Sequence, residues 1–335
     1  MFLELMSYKM FKLSFKIYVL FALFMLCGCK DDVTLVEKFP VEKELKAEPA
    51  AKLDSLYSLC DVTSDGTHFY FSQKRKARFF VVTDNNFNVS GELCVSGHGH
   101  GEWTAPMMTG QFGNDGGKDC AYILERPSHT LYAQPIDGSE RMKVEDFKLR
   151  DIVSVRYAFK TKDGIYIGAQ DDMTCEFFVF DGRSKAVKSF PHPVVDMKNV
   201  GDMSQMLLQT RATYNHAVDR IAISYFSYPL IVIRNANGSV VTTLQVESRL
   251  PGYSHDNVGE SHVYFKDIKS DDKYVYALYS SPAHDERDFV LVFAWDGTPI
   301  ARYELSPAIG FAIDGAGRRI VAINDADGKV VAYKM

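Results

Sequence analysis

From about residue 50 onward, short apolar runs alternate with polar turns, and the unit is clearest in Phe289–Leu305, FVLVFAWDGTPIARYEL. An apolar run reaches Asp296-Gly297, a pair suited to positive φ, and a second alternating run leaves it, which is the pattern of a β-hairpin. The same unit recurs with drift. Second-strand candidates are His68 to Ser72, Cys120 to Leu124, Gly164 to Ala169, Arg220 to Tyr225, Tyr274 to Tyr279 and Arg319 to Ile323. They start roughly 45–55 residues apart, the period of a four-stranded propeller blade. Third strands follow at Phe79 to Thr83, Thr130 to Ile136, Phe177 to Phe180, Leu230 to Arg234 and Val290 to Trp295. Turns then come at Asn85-Asn86, Asp137-Gly138, Asp181-Gly182, Asn237-Gly238 and Asp296-Gly297. No segment sustains a 3.6-residue period, so few helices are expected.

The sixth copy stops early. After Arg319 to Ile323 and the Asp327-Gly328 turn, the chain ends in KVVAYKM, a third strand without a fourth. The expected supplier of the missing strand is the N-terminal stretch near Val33 to Leu45, which would close the ring and remove an exposed strand edge. The expected fold is therefore all-β, a six-bladed β-propeller closed by an N-terminal strand. An open pair of β-sandwiches is the alternative.

The first residues do not fit this repeat. Lys9, Lys12 and Lys16 precede an apolar run from Ile17 to Leu26, too short for the about 20 residues of a membrane span. A positive flank, a short apolar core and small residues at its end make a secretory signal. Leu26-Cys27-Gly28-Cys29 resembles the bacterial lipobox, which implies cleavage before Cys29 and acylation of that residue. Buried acyl chains contribute about 0.8 kcal/mol per CH₂, so several chains anchor firmly. Lys30-Asp31-Asp32 resembles the export tag that sends lipoproteins to the outer surface in the Bacteroidetes. The expected division is a signal peptide at 1–28, a lipidated tether with the closing strand at 29–50, and the propeller at 51–335. Outer-membrane, cell-surface localisation follows.

Composition adds limits. Hydrophobic content of 46% suffices for a packed core, and a net charge of −5 argues against a general nucleic-acid surface. Beyond the leader, Cys60, Cys94, Cys120 and Cys175 lack metal-type spacing and read as buried thiols. The repeat puts Cys60 and Cys94 on the innermost and outermost strands of one blade, beyond disulfide reach.

The segments DDKYVYALYSS, FVLVFAWDGTPIARYELS and IGFAIDGAGRRIVAIN resemble the TolB-like six-bladed propeller lipoproteins of the Bacteroidetes. The loop Ser96 to Trp103, SGHGHGEW, is similar to their Gly-rich connection between blades. The resemblance implies an extracytoplasmic propeller and carries no catalytic residue to transfer.

Candidate chemistry is sparse. Gly97-His98-Gly99-His100-Gly101-Glu102 could offer His-x-His-x-Glu to a metal, or the glycines could serve a tight crossing with Glu102 capping amides. Ser64-Asp65-Gly66-Thr67 and Trp295-Asp296 read as turns. Asp151, Asp267 and Asp314 near first strands could point inward or end turns. Seven histidines, His98, His100, His129, His192, His255, His262 and His284, fall in loops sharing one face, and His68 and His216 lie elsewhere. The connection with His98, His100 and Glu102 and the connection with His255, Asp256, Glu260 and His262 are three steps apart in a ring of six, so they should oppose each other across the channel. These residues form the expected ligand site. The expected function is a lipid-anchored binding module for a peptide, glycan or partner protein, with no cofactor and no nucleic acid. A propeller-type hydrolase or lactonase, its metal requirement open, is the alternative.

Overall fold

The computed structural model describes residues 33–335 apart from 57, 75–76, 149–153, 194–203, 255, 285 and 316–317. The leader, Cys29, Asp31, Asp32, Asp151 and His255 lie outside the described residues. Six sheets make up the unit from Val33 to Met335.

Three strands come first: β1 (Val33–Leu35), β2 (Val41–Glu44) and β3 (Ala47–Pro49). Blade 1 is β4 (Leu59–Ser64), β5 (His68–Gln73), β6 (Arg78–Asp84) and β7 (Val89–Val95). Blade 2 is β8 (Pro106–Asp115), β9 (Lys118–Glu125), β10 (Thr130–Pro135) and β11 (Met142–Asp146). Blade 3 is β12 (Val155–Lys160), β13 (Ile165–Gln170), β14 (Phe177–Asp181) and β15 (Val187–Phe190). Blade 4 is β16 (Thr210–Asn215), β17 (Arg220–Tyr225), β18 (Leu230–Asn235) and β19 (Val240–Gln245). Blade 5 is β20 (Phe265–Ser270), β21 (Tyr274–Ser280), β22 (Asp288–Ala294) and β23 (Pro299–Leu305). Blade 6 is β24 (Ala308–Ile313), β25 (Arg319–Asn324), β26 (Val330–Lys334) and, returning from the N-terminal end, β3. The fold is a six-bladed β-propeller closed by an N-terminal strand.

The apolar runs form strands because both of their faces find a neighbour. Among the described residues there are six apolar clusters, each between two adjacent blades. In β17, Ile221 and Ile223 pack against blade 3 while Ala222 packs against blade 5. Alternation along a strand therefore sends successive side chains to different interfaces, and the second strands read as unbroken apolar runs. Each fully buried large side chain contributes roughly 2 kcal/mol. Between blades 3 and 4 the packing also encloses ions. Arg234 Nε lies 2.6 Å from Glu176 Oε2, and Tyr225 donates to Glu176 Oε1 at 2.7 Å.

Closure differs from the expected register. The strand that completes blade 6 is Ala47–Pro49, antiparallel to β26 with Tyr333 opposite Ala47. Val33 to Leu45 instead adds fifth strands to two other blades. β1 lies parallel to β19, and β2 lies parallel to β23. The N-terminal segment thus straps the rims of blades 4, 5 and 6 in turn. Every residue of β1 and β2 is exposed, so backbone hydrogen bonds hold them, with Val36, Leu45 and Ala50 as buried pegs between or after them. The gap beside β26 goes to the strand nearest in sequence to blade 1, because only a short turn of 3₁₀ helix at Ala51–Leu53 and its flanks then separates it from β4.

Cys60, Cys94, Cys120 and Cys175 are free thiols, with Cys60 on β4 and Cys94 on β7 at opposite edges of blade 1.

Candidate functional site

The first strands of the blades, β4, β8, β12, β16, β20 and β24, surround a channel. All run the same way, so the channel has a front end where they begin and a rear end where they finish. Its cavity measures about 390 Å³.

The rear end is built from turns that follow the first strands. Asp65 accepts the amides of Thr67 and His68, each at 2.7 Å, and the Tyr70 hydroxyl at 2.7 Å. Asp271 repeats this with Lys273 N, Tyr274 N and Tyr276 OH, also at 2.7 Å. An aspartate followed five residues later by tyrosine is thus one device used twice: the carboxylate organises the turn, and the ring from the second strand completes it. Asp314 accepts Arg318 N at 2.7 Å and pairs with Arg319 Nε at 3.1 Å. Burial acts to raise the Asp65 carboxyl, but the bonds from Tyr70, Thr67 and His68 outweigh it and hold the group below its ordinary range. Gly66 and Gly315 meet here so closely that a Cβ on Gly315 would lie 2.1 Å from Gly66 O.

The front end is organised differently. Lys269 Nζ sits 3.1 Å from Asp61 Oδ1, to which it donates, and 3.1 Å from Asp267 Oδ2, off the line of a hydrogen bond. One ammonium serves two carboxylates. Burial, with Asp61 adding repulsion, overcomes the attraction of Lys269 and Arg211 and pushes Asp267 up to about 6. Blade 6 contributes Gly310 at this level, where a Cβ would approach Asp61 Oδ1 to 3.3 Å. Arg156 and Arg211, the second residues of β12 and β16, complete the charged lining. Their guanidinium carbons lie 5.5 and 5.6 Å from the centre of the Phe226 ring.

Several first strands carry a β-bulge at their start, between Leu59 and Asp61, Val155 and Tyr157, Phe265 and Asp267, and Ala308 and Gly310. A bulge inserts a residue and re-aims its neighbours. Arg156 is the inserted residue of β12, and Asp61 and Asp267 directly follow theirs. The shift in register helps bring Asp61, Arg156 and Asp267 to the front, and Arg211 reaches it from β16, which pairs without a bulge.

Hydroxyls along the channel are spent locally. Thr109 donates to Tyr122 O at 2.9 Å, and Thr213 and Ser270 bond each other at 2.7 Å. Gln111 donates to Lys160 O and contacts His216 Nε2, both at 3.0 Å, which ties blades 2, 3 and 4 together.

Of the residues expected to form the ligand site, His98 and His100 are exposed in the connection from blade 1 to blade 2. Glu102 accepts Gly99 N at 2.6 Å and caps that turn. Asp256 and Glu260 are exposed in the connection into blade 5, while His262 Nε2 is bonded to Ser280 O at 2.9 Å. The described members of the group do not line the channel cavity. Among the other histidines, His192 bridges Tyr225 OH and Met173 O, each at 3.0 Å. Among the described residues, no three His, Cys, Asp or Glu side chains converge as metal ligands. Asp267 does point inward, whereas Asp314 belongs to a turn. Asp65 to Thr67, directly after β4, and Trp295-Asp296 are turns.

Arg156 and Arg211 escaped the sequence reading. Their signal was present: VRYAFK and TRATYN both place arginine second in a first strand.

No protein-family profile matches the sequence, and no curated protein matches it. Among solved structures, the chain is similar to a crystal structure of a member of the DUF4221 family from Bacteroides vulgatus, at 15% identity over 91% of this chain and 98% of that chain, TM-score 0.56. It is also similar to the structure of U3-55K, at 8% identity over 83% of this chain and 80% of that one, TM-score 0.49. At these identities the first likeness shows the propeller fold.

Proposed function

We propose that the protein is a recognition module of the TolB-like lipoprotein kind, held at the outer membrane through Cys29 and taking its ligand at the front mouth of the channel. The observation that carries the ligand site is the charged cavity of about 390 Å³, a size suited to a small ligand or the end of a larger one. Its rear polar groups are committed to turns, while its front groups are held out on first strands. A peptide end or a glycan end is the chemistry such a mouth accommodates, and rigid strands on all sides keep it preformed.

The ligand test is a plugged channel. Gly310→Phe should fill the front mouth beside Asp61, and saturation-transfer NMR against short peptides and oligosaccharides should show ligands of the parent protein lost from the variant. Equal binding by the plugged protein would move the site out of the channel. The anchor rests on the LCGC sequence alone. Metabolic labelling with a fatty-acid analogue should mark the parent and leave Cys29→Ala unlabelled, and label persisting on the variant would remove the lipobox reading.

A further inference from the structure

Several of the buried and half-buried cations of this propeller have carboxylate partners. Arg234 is paired with Glu176, Lys266 with Asp288, Lys160 with Asp115, Arg319 with Asp314, and Lys269 with Asp61 and Asp267. Others use other partners: Arg220 donates to Trp295 O at 2.7 Å, and Arg141 and Arg302 lie over aromatic rings. The front mouth differs in setting two arginines against one ring. Among the described residues, neither Arg156 nor Arg211 has a carboxylate within ion-pair distance. The one side-chain hydrogen bond of Arg156 runs from Nη2 to Gln209 Oε1 at a long 3.5 Å. Both cations share the Phe226 ring, and Phe226 is fixed by its own backbone, donating to Gln209 O at 2.8 Å and accepting from Tyr264 N at 2.6 Å. Burial, and then the neighbouring Arg211, make the charged form of Arg156 harder to hold. Two like charges side by side, one of them half-buried, repel each other and favour an anion that bridges them.

We propose that Arg156 and Arg211 form a carboxylate-binding site at the front mouth, with Phe226 as its fixed platform, so that the ligand of this propeller is gripped by a carboxylate group. The proposal rests on the channel reading above and names the chemistry it recognises. Guanidinium groups present forked N–H donors that match a planar carboxylate with two parallel bonds. Charge balance selects among oxyanions. Around the mouth, Arg156, Arg211 and Lys269 face Asp61 and Asp267, which leaves one net positive charge when both acids are ionised. A monoanion neutralises it. A doubly charged phosphate or sulfate overshoots and meets the two aspartates besides. The rear end turns acidic, with Asp65, Asp271, Asp272 and Asp314 in the lining, so the channel field draws a carboxylate to the front and repels it from the rear.

The probes are benzoate as the carboxylate, methyl benzoate as its neutral counterpart, and inorganic phosphate and sulfate as dianions. Each is titrated into the purified protein by saturation-transfer NMR and by thermal shift. Benzoate should bind saturably and raise Tm; methyl benzoate, phosphate and sulfate should do neither. Arg211→Gln, at an exposed position, should weaken benzoate by about tenfold or more, as expected for a lost charge-assisted pair. The same variant should melt close to the parent, because the repulsion from Arg156 that it relieves offsets the attraction to Asp267 that it loses. That readout separates a ligand site from a structural pair, whose loss would lower Tm. Arg156→Lys guards against a misfolded Arg156→Gln and should keep part of the affinity. Benzoate binding unchanged in Arg211→Gln, methyl benzoate binding as well as benzoate, or no anion binding at all would overturn the proposal. Tighter phosphate or sulfate than benzoate, lost in Arg211→Gln, would overturn the carboxylate assignment while leaving an anion site. Failure of the plugged-channel test would instead displace the whole site.

Discussion

The two ends of the channel carry similar densities of charge and treat them in opposite ways. At the rear, Asp65 and Asp271 each gather two amides and a tyrosine hydroxyl, and Asp314 holds an amide and an arginine. These charges are consumed by the fold. At the front, Lys269 is stretched between two acids and two arginines stand without any. Those charges are a burden on the fold. The contrast teaches how to separate structural from functional polar residues inside one cavity: a structural charge has its bonds filled from its own loop, and a functional one has been left short. The histidine-bearing connections fit the first kind where their side chains are bonded, as with Glu102 to Gly99 N and His262 to Ser280 O.

The largest expected effect breaks the rear end. Asp271→Ala removes the acceptor of Lys273 N, Tyr274 N and Tyr276 OH together. Hydrogen bonds to a charged group contribute about 1.5–3 kcal/mol each, and water can replace part of them at an exposed turn, so a net loss of about 3 kcal/mol is expected in urea unfolding. Arg211→Gln at the front should change the same midpoint by less than about 0.5 kcal/mol, the usual bound for a substitution that breaks no partner. Equal losses at both ends would abolish the distinction.

How much of this could be read from the chain depends on burial. The second strands were legible because both faces are buried: Arg220 to Tyr225 is strand β17 to the residue, and Tyr274 to Tyr279 falls one short of β21. The turns at Asp137-Gly138, Asn237-Gly238 and Asp296-Gly297 declared themselves through glycines that do adopt positive φ. The strap was misplaced for the converse reason. VTL and VEKE bury no face, so no apolar rhythm marks their register, and their parallel pairing leaves no hairpin turn to find. Of the front mouth only Asp267 was singled out in the sequence, because the charged residues come from four blades, and the bulges beside Asp61, Arg156 and Asp267 are a property of backbone pairing rather than of residue type. A histidine count could find a face, but it could not tell a bonded side chain from one left short of partners.

The smaller effect, and the one that sharpens the comparison most, is in the pH dependence of stability, where the two ends have opposite sign. A carboxyl lowered in the folded state, as Asp65 is, contributes stability that is present above its unfolded value near 3.8 and is lost as pH falls through its folded value. Asp267 is raised to about 6, so between roughly pH 4 and pH 6 the folded protein binds a proton there that the unfolded chain has released. Stability from the front end therefore falls as pH rises through that window, by about 2 kcal/mol at 1.36 kcal/mol per unit with some allowance for the shared Lys269. The groups that face Asp267 are Lys269, Asp61 and Arg211. Asp267→Asn imitates the protonated acid. It should match the parent within about 0.5 kcal/mol at pH 3.5, where folded and unfolded carboxyls are both largely protonated, and exceed it by about 2 kcal/mol at pH 8. Asp65→Asn should do the reverse, weakening the protein at pH 8 and approaching the parent only in acid. Unfolding midpoints at the two pH values decide it. A constant gap between Asp267→Asn and the parent would mean that Lys269 satisfies both of its acids, and that the front end is as settled as the rear.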